Sequence, residues 1–144
     1  MANPIQFFVE EIDFKLPKPR ALSAWLTNVA QGHGCTIEEL NYIFVSDNYL
    51  LDLNKSFLQH DTLTDIITFP HTEEGSKELA ADIYISVERV RENAISFGVT
   101  FPQELHRVMV HGLLHLVGFK DKDAKAKKEM RAAEDAAIAL LEKK

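Results

Sequence analysis

The segment at residues 110–121, which reads VHGLLHLVGFKD, constrains the fold of this chain more than any other. Its apolar spacing predicts the end of an amphipathic helix, and Gly118 is expected to terminate that helix. His111 and His115 lie four positions apart, so on a helix their side chains are rotated by only about 40° from each other. After the glycine the chain can double back and return Asp121 to the same place. The segment therefore predicts two imidazoles on one helix face, beside a returning carboxylate.

The spacing His-x3-His-x5-Asp favours a metal site. Two imidazoles on one helix face can bind one ion, and Asp121 is the expected third ligand. The alternative is an incidental pair of histidines, but the glycine break and the carboxylate beyond it favour ligation. The expected cofactor is one divalent ion, with Zn²⁺ as the first choice, and the carboxylate shifts the preference slightly toward harder ions such as Mn²⁺. Asp123 is less suitable as a ligand because it stands at the natural N-cap of the next helix.

The same spacing matches the zinc-protease pattern H-E-x-x-H-x-x-G-x-x-H, with aspartate in the last place. That pattern needs a glutamate beside the first histidine as general base. Here the position is Gly112, which cannot accept a proton. The sequence therefore predicts a metal site without peptidase activity.

The signature H-G-x-L-H-L-x-G-F resembles that of the bacterial YbeY family. Three further stretches fit the family in the same order: Leu53 and Asn54 followed by Phe57, residues 64–70 (TDIITFP) and residues 81–86 (ADIYIS). The resemblance covers nearly the whole chain, and the first signature is highly specific.

The resemblance implies a metal-dependent, single-strand-directed endoribonuclease that acts in ribosomal RNA maturation, including the 3′ end of 16S ribosomal RNA. It implies an RNA precursor as partner, together with proteins of the ribosomal subunit, and a mechanism in which a metal-activated water attacks a phosphodiester. Asp65 is the carboxylate to which the resemblance gives a catalytic role. Asp82 is a second pocket candidate, although an aspartate before a strand is more often a turn former.

Two positions depart from the family pattern. Where the family usually has a third histidine ligand, this chain has Asp121, which is a competent zinc ligand. Where the family pattern L-N-x-x-[YF]-R has an arginine, this chain has Leu58. Arg107 or the lysines around Lys120 are candidates to supply the missing positive charge.

Two rival functions stay open. The first is a ribosome-assembly factor that binds RNA without cleaving it and holds a structural metal. The second is a hydrolase of another ester or amide. Metal analysis, together with cleavage of single-stranded RNA with and without a chelator, distinguishes the endoribonuclease from both rivals.

Strand and helix signals alternate in the order β α β α β β α α α. This order predicts an α+β fold, in which a small mixed four-stranded sheet packs with about five helices, one of them the metal-binding helix. A polar loop is expected at residues 59–62, and residues 1–144 are expected to form one endoribonuclease domain.

Composition bears on compartment and partners. The net charge of −6 is unusual for a protein that binds RNA phosphates, but residues 120–131 hold six basic residues against three acidic ones. A basic helix start is most often a solvated face, and here it directly follows the metal motif.

Cys35, the single cysteine, cannot form an intrachain disulfide. Neither a signal peptide nor a membrane span is evident, so the expected compartment is the cytoplasm, without membrane association.

Overall fold

The computed structural model describes residues 4–58, 64–73 and 75–142. The loop predicted at residues 59–62 lies outside this described part. The strands are β1 (Ile5–Val9), β2 (Thr36–Val45), β3 (Ile66–Pro70) and β4 (Glu78–Ser86). The helices are α1 (Pro19–Gly32), α2 (Asp47–Leu53), α3 (Val87–Phe97), α4 (Phe101–Val117) and α5 (Ala124–Glu142), and a π-helical turn (Asn54–Leu58) extends α2.

The four strands form one mixed sheet in the order β1-β2-β4-β3. The three strands β1, β2 and β4 run parallel, and β3 pairs antiparallel with β4. Strand β3 ends at Pro70 and lies at a sheet edge, where a missing backbone N–H costs no ladder hydrogen bond. The predicted fold class and element order are confirmed.

Alternation along the strands separates two apolar clusters. On one face of the sheet, Tyr42, Phe44 and Ile83 join the large core. On the other face, Ile43 and Val45 pack with residues of α2 and β3 in a smaller cluster. The helix that carries the metal motif packs on the sheet face that belongs to the large core.

Helix α4 is the central helix of the large core. It begins with a capping box, in which Thr100 and Gln103 each accept a backbone N–H from the other. Met109 is fully buried, and its carbonyl oxygen accepts a hydrogen bond from the Tyr42 hydroxyl at 2.8 Å. Ile66 and Ile83 lie against Gly112, so α4 approaches the sheet closely at that point. This packing places α4 between the sheet and α5.

Helix α5 is capped at its start and is hydrogen-bonded to α1 further along. Asp123 accepts the N–H of Ala126 at 2.8 Å, which confirms that it caps the start of the helix. Further along, the buried Trp25 of α1 donates its indole N–H to the Ala137 carbonyl oxygen at 2.6 Å. None of the described helices is long and apolar enough to cross a membrane.

Candidate metal centre

His111 and His115 project from the last turns of α4, and their ring centroids are 4.6 Å apart. Gly118 ends the helix with φ at 131°, a backbone conformation that side chains rarely adopt. The reversal after Gly118 returns Asp121 to the histidines, as its place in the sequence predicts. Its Oδ2 atom lies 3.5 Å from His111 Nε2 and 3.4 Å from His115 Nε2.

The spacing of these three side chains fits one small divalent ion. Their potential ligand atoms all lie within 4.8 Å of one another. Ligand atoms about 2.0–2.1 Å from a tetrahedral zinc are roughly 3.3–3.4 Å apart, close to the two carboxylate–imidazole distances observed here. Two imidazoles and one carboxylate are also a donor set that zinc accepts, so the residues present suit a metal site.

A buried carboxylate stands behind the histidine pair. Glu134 of α5 lies with Oε2 at 2.6 Å from His111 Nδ1. Its other oxygen, Oε1, accepts a hydrogen bond from Arg107 Nη1 at 2.9 Å. The second terminal nitrogen of Arg107, Nη2, donates to Asp135 at 2.8 Å. Arg107, which the sequence offered as a phosphate contact, therefore has both terminal nitrogens engaged within the protein.

Glu134 was missed by the sequence analysis, although a signal for it exists. It falls on the buried stripe of α5, four positions after Met130 and three before Ala137, and both of these residues are buried. A charged residue on such a stripe is rarely buried without a partner. That position alone therefore points to a polar contact inside the fold.

A cleft of about 330 Å³ opens beside the cluster. Besides His111, its polar lining comprises Asp65, Glu104, Arg107, Asp121, Arg131 and Glu134. Asp65 precedes β3, and its backbone is fixed because its carbonyl oxygen accepts the Ser86 N–H at 3.0 Å. The structure thus brings Asp65, the carboxylate singled out from the sequence, into the same cleft as the metal motif.

The other candidates lie elsewhere. Asp82 is on the sheet face opposite α4, where it contacts Asn41 at 3.0 Å and His71 at 3.3 Å. Its register explains this: Asp82 shares a face with Tyr84, which packs in the smaller cluster, and not with Ile83. Leu58 closes the π-helical turn.

Burial and neighbouring charges together shift the pKa values of the cleft residues. Burial raises the pKa of Asp65 and of Glu104, and the charge of Asp65 adds to the rise at Glu104. Burial lowers the pKa of His111, but the hydrogen bond and charge of Glu134 outweigh it and leave the pKa above its ordinary value. Burial and the neighbouring His111 lower the pKa of His115. The cleft therefore holds two carboxyl groups that bind protons more tightly than exposed ones do.

The fold and the cluster together are the arrangement expected of a metal-dependent hydrolase. Two imidazoles come from a helix, a carboxylate returns after a glycine, and an open cleft lies alongside them.

Comparison with known proteins identifies the family. The chain belongs to the family described as "Endoribonuclease YbeY", which matches residues 9–142. It is 48% identical to a protein named endoribonuclease YbeY from Amoebophilus asiaticus, over 90% of this chain and 88% of that protein. It is also 48% identical to the protein of that name from Cytophaga hutchinsonii, over 94% of each. A solution structure of a Thermotoga maritima protein is similar, with a TM-score of 0.68 and 29% identity, covering 95% of this chain and 88% of that one.

Proposed function

We propose that this protein is a metal-dependent endoribonuclease that cleaves single-stranded segments of ribosomal RNA precursors during ribosome maturation. The carrying observation is that Asp121 Oδ2 comes within 3.5 Å of both histidine Nε2 atoms, in a chain that belongs to an endoribonuclease family. In this proposal residues 1–144 act as one domain in the cytoplasm, and contact RNA and proteins of the ribosomal subunit.

His111, His115 and Asp121 are assigned as the ligands of one divalent ion, with zinc as the first choice. When bound, such an ion activates water and offsets charge that develops on the phosphodiester. Three protein ligands leave a coordination position open, which hydrolytic sites need and closed structural sites lack. The exposed fraction of the Asp121 side chain, 44%, supports access from solvent to this position.

Asp65 is assigned the proton-accepting role in the cleft. A general base works best when its pKa lies near the working pH, and burial moves the pKa of Asp65 upward from the ordinary carboxyl value. Glu104 lies in the same cleft, and burial raises its pKa as well. These two carboxyl groups are therefore the ones in the cleft suited to holding or moving a proton, and resemblance favours Asp65.

Arg131 is assigned to contact the RNA phosphates. It lines the cleft with 64% of its side chain exposed, and its Nη1 atom is 3.9 Å from Glu134 Oε1, at the outer limit of an ion pair. Arg107, by contrast, is held by two short hydrogen bonds. Arg131 is thus better placed than Arg107 to provide the positive charge that the family arginine would supply at Leu58.

The test combines metal analysis with RNA cleavage. Purified protein is expected to contain one zinc per chain and to cut single-stranded RNA, with cleavage abolished by a chelator and restored by the ion. His115→Ala should lose most of the metal and the cleavage. RNA binding by metal-loaded protein without any cleavage would instead establish the assembly-factor alternative, and unchanged metal content in His115→Ala would refute the ligand assignment.

A further inference from the structure

Glu134 of α5 contacts two side chains of α4. The carboxylate is buried between α4 and α5, with only 5% of the residue exposed. Each of its oxygens has its own partner on α4: Oε2 faces His111 Nδ1 at 2.6 Å and Oε1 accepts from Arg107 Nη1 at 2.9 Å. One carboxylate therefore contacts both a proposed metal ligand and a fixed cation one helical turn before it.

We propose that Glu134 is a positioning residue that fixes the tautomer and ring orientation of His111, so that the Nε2 lone pair faces Asp121. The inference rests on the proposed function, because it concerns how a ligand of that metal site is held ready for the ion.

The chemistry follows from the hydrogen-bonding capacity of each group. A carboxylate beside a guanidinium at 2.9 Å is ionised and can only accept hydrogen bonds. The 2.6 Å contact therefore requires the proton of neutral His111 to be on Nδ1. With the proton there, Nε2 carries the free lone pair that a metal needs. The opposite tautomer would set the Nδ1 lone pair against a negative oxygen at that distance.

Arg107 keeps the carboxylate in place. It lies one turn before His111 on α4, so the guanidinium and the imidazole reach the same glutamate from one helix face. Its second contact, to Asp135, is on the outer side, where the exposed fraction of the aspartate side chain is 60%. The inner contact orients Glu134, whereas the outer contact joins Arg107 to Asp135 and does not involve Glu134.

A purely structural role is the competing explanation, since an ion pair between α4 and α5 could simply join the two helices. The two roles differ in what Glu134→Gln should do. The amide keeps the shape of the side chain, and the positive charge of Arg107 attracts its oxygen. The amide N–H₂ then faces His111 Nδ1 and favours the tautomer protonated at Nε2, the atom that the ion requires.

The experiment measures the tautomer and the affinity separately. Ring ¹⁵N shifts of His111 are recorded in the metal-free protein at about pH 9, where imidazoles are neutral. Zinc affinity is measured by competition with a chelating indicator. Wild type should show Nδ1–H, whereas Glu134→Gln should move the proton to Nε2 and bind zinc about 10- to 100-fold more weakly.

Two further variants control the interpretation. Asp135→Asn removes the negative charge of the outer partner of Arg107 and should leave both tautomer and affinity as in wild type. Glu134→Asp keeps the negative charge, should retain Nδ1–H and should recover part of the lost affinity. It also serves as the readout should the glutamine variant not fold.

An Nδ1–H tautomer in Glu134→Gln, or an equal loss of affinity in Asp135→Asn, would overturn the proposal. Failure of the wild type to bind zinc would count against the proposed function alone, because the tautomer is read without metal.

Discussion

Asp121 reaches the histidine pair from outside the helix that carries them. Its approach depends on the reversal at Gly118, where φ is 131°. An aspartate in this place would bring a negative charge to an ion bound there and would lower the net charge of the site compared with three neutral imidazoles. The neighbouring Asp123 is committed to the N-terminus of α5. The two aspartates thus have different structural roles, although they lie two positions apart.

Substitution of these two aspartates tests the third ligand. Asp121→Ala should release the ion and abolish RNA cleavage, because two histidines alone bind zinc weakly, while Asp121→His should retain the ion. Asp123→Ala should retain the ion and lower the free energy of unfolding by about 1 kcal/mol through loss of the cap. Zinc content and thermal or urea unfolding measure these effects. Full metal content in Asp121→Ala would show that the third ligand is another group.

Asp65 should link activity to stability. Burial raises its pKa in the folded protein, so the folded state binds this proton more tightly than the unfolded chain does. The contribution of this bound proton to the free energy of unfolding is fully present below the ordinary carboxyl pKa. It is lost as pH rises through the raised pKa of the folded protein. Asp65→Asn, which carries no charge, should therefore raise the free energy of unfolding at neutral pH in metal-free protein and weaken its dependence on pH.

The same substitution should reduce RNA cleavage by at least about 100-fold, because a lost general base typically costs that much. Asp82→Asn, on the opposite sheet face, serves as the control and should leave cleavage unchanged. Undiminished cleavage by Asp65→Asn would remove the proton-accepting role from this residue.

At the residue scale, local spacing predicted much of the site. The histidine pair and Asp121 lie within eleven consecutive positions, so helix geometry and one glycine suffice to bring them together. Glu134 is 23 positions from His111, and its contact depends on how α5 packs across α4. No local pattern encodes that distance. The position of Asp65 in the cleft was predicted by family resemblance and not by spacing.

At the scale of elements, helix ends were more predictable than strand ends. The bounds of α4 follow from its capping box and from Gly118, both of which are local signals. The β-forming residues at 40–45 and the alternating pattern at 81–87 predict two strands, but β2 and β4 begin earlier, at Thr36 and Glu78. Residues Thr36 and Glu78 are register partners in the sheet. Tertiary pairing therefore extends the start of both strands through glutamates (Glu38, Glu39 and Glu78), a residue type that strands disfavour.

Gly112 shows how packing of α4 on the sheet also excludes a peptidase base. A Cβ atom at this position would lie 2.9 Å from Ile66 Cδ1 and 3.1 Å from Ile83 Cδ1. A glutamate there would have to fit between the helix and the sheet, and its charged group would lie among apolar side chains. Gly112→Glu should therefore lower the free energy of unfolding by at least about 3 kcal/mol and confer no casein cleavage.

Gly32→Glu is the matched control, because nothing lies within 4 Å of a Cβ built at Gly32. This change should alter the free energy of unfolding by no more than about 1 kcal/mol. Urea unfolding of both variants makes the comparison. Equal stability of the two would contradict the close approach of α4 to the sheet.

At the scale of the whole molecule, RNA binding must overcome a net charge of −6. Phosphates are repelled by most of such a surface, so binding depends on where the basic residues lie and not on their total. Arg131 belongs to the basic segment at residues 120–131 and lines the cleft beside His111. Its position brings positive charge to the place where the proposed reaction occurs.

Arg131→Ala should weaken binding of metal-loaded protein to single-stranded RNA several-fold. Loss of one phosphate contact should also reduce the slope of log affinity against log salt concentration by about 0.7. Arg20→Ala is the control, because it removes the same charge and side chain from the exposed start of α1. Fluorescence anisotropy across a salt series measures both variants. If local placement governs binding, the control keeps the wild-type slope, whereas equal losses in the two variants would mean that net charge governs binding and that Arg131 makes no particular phosphate contact.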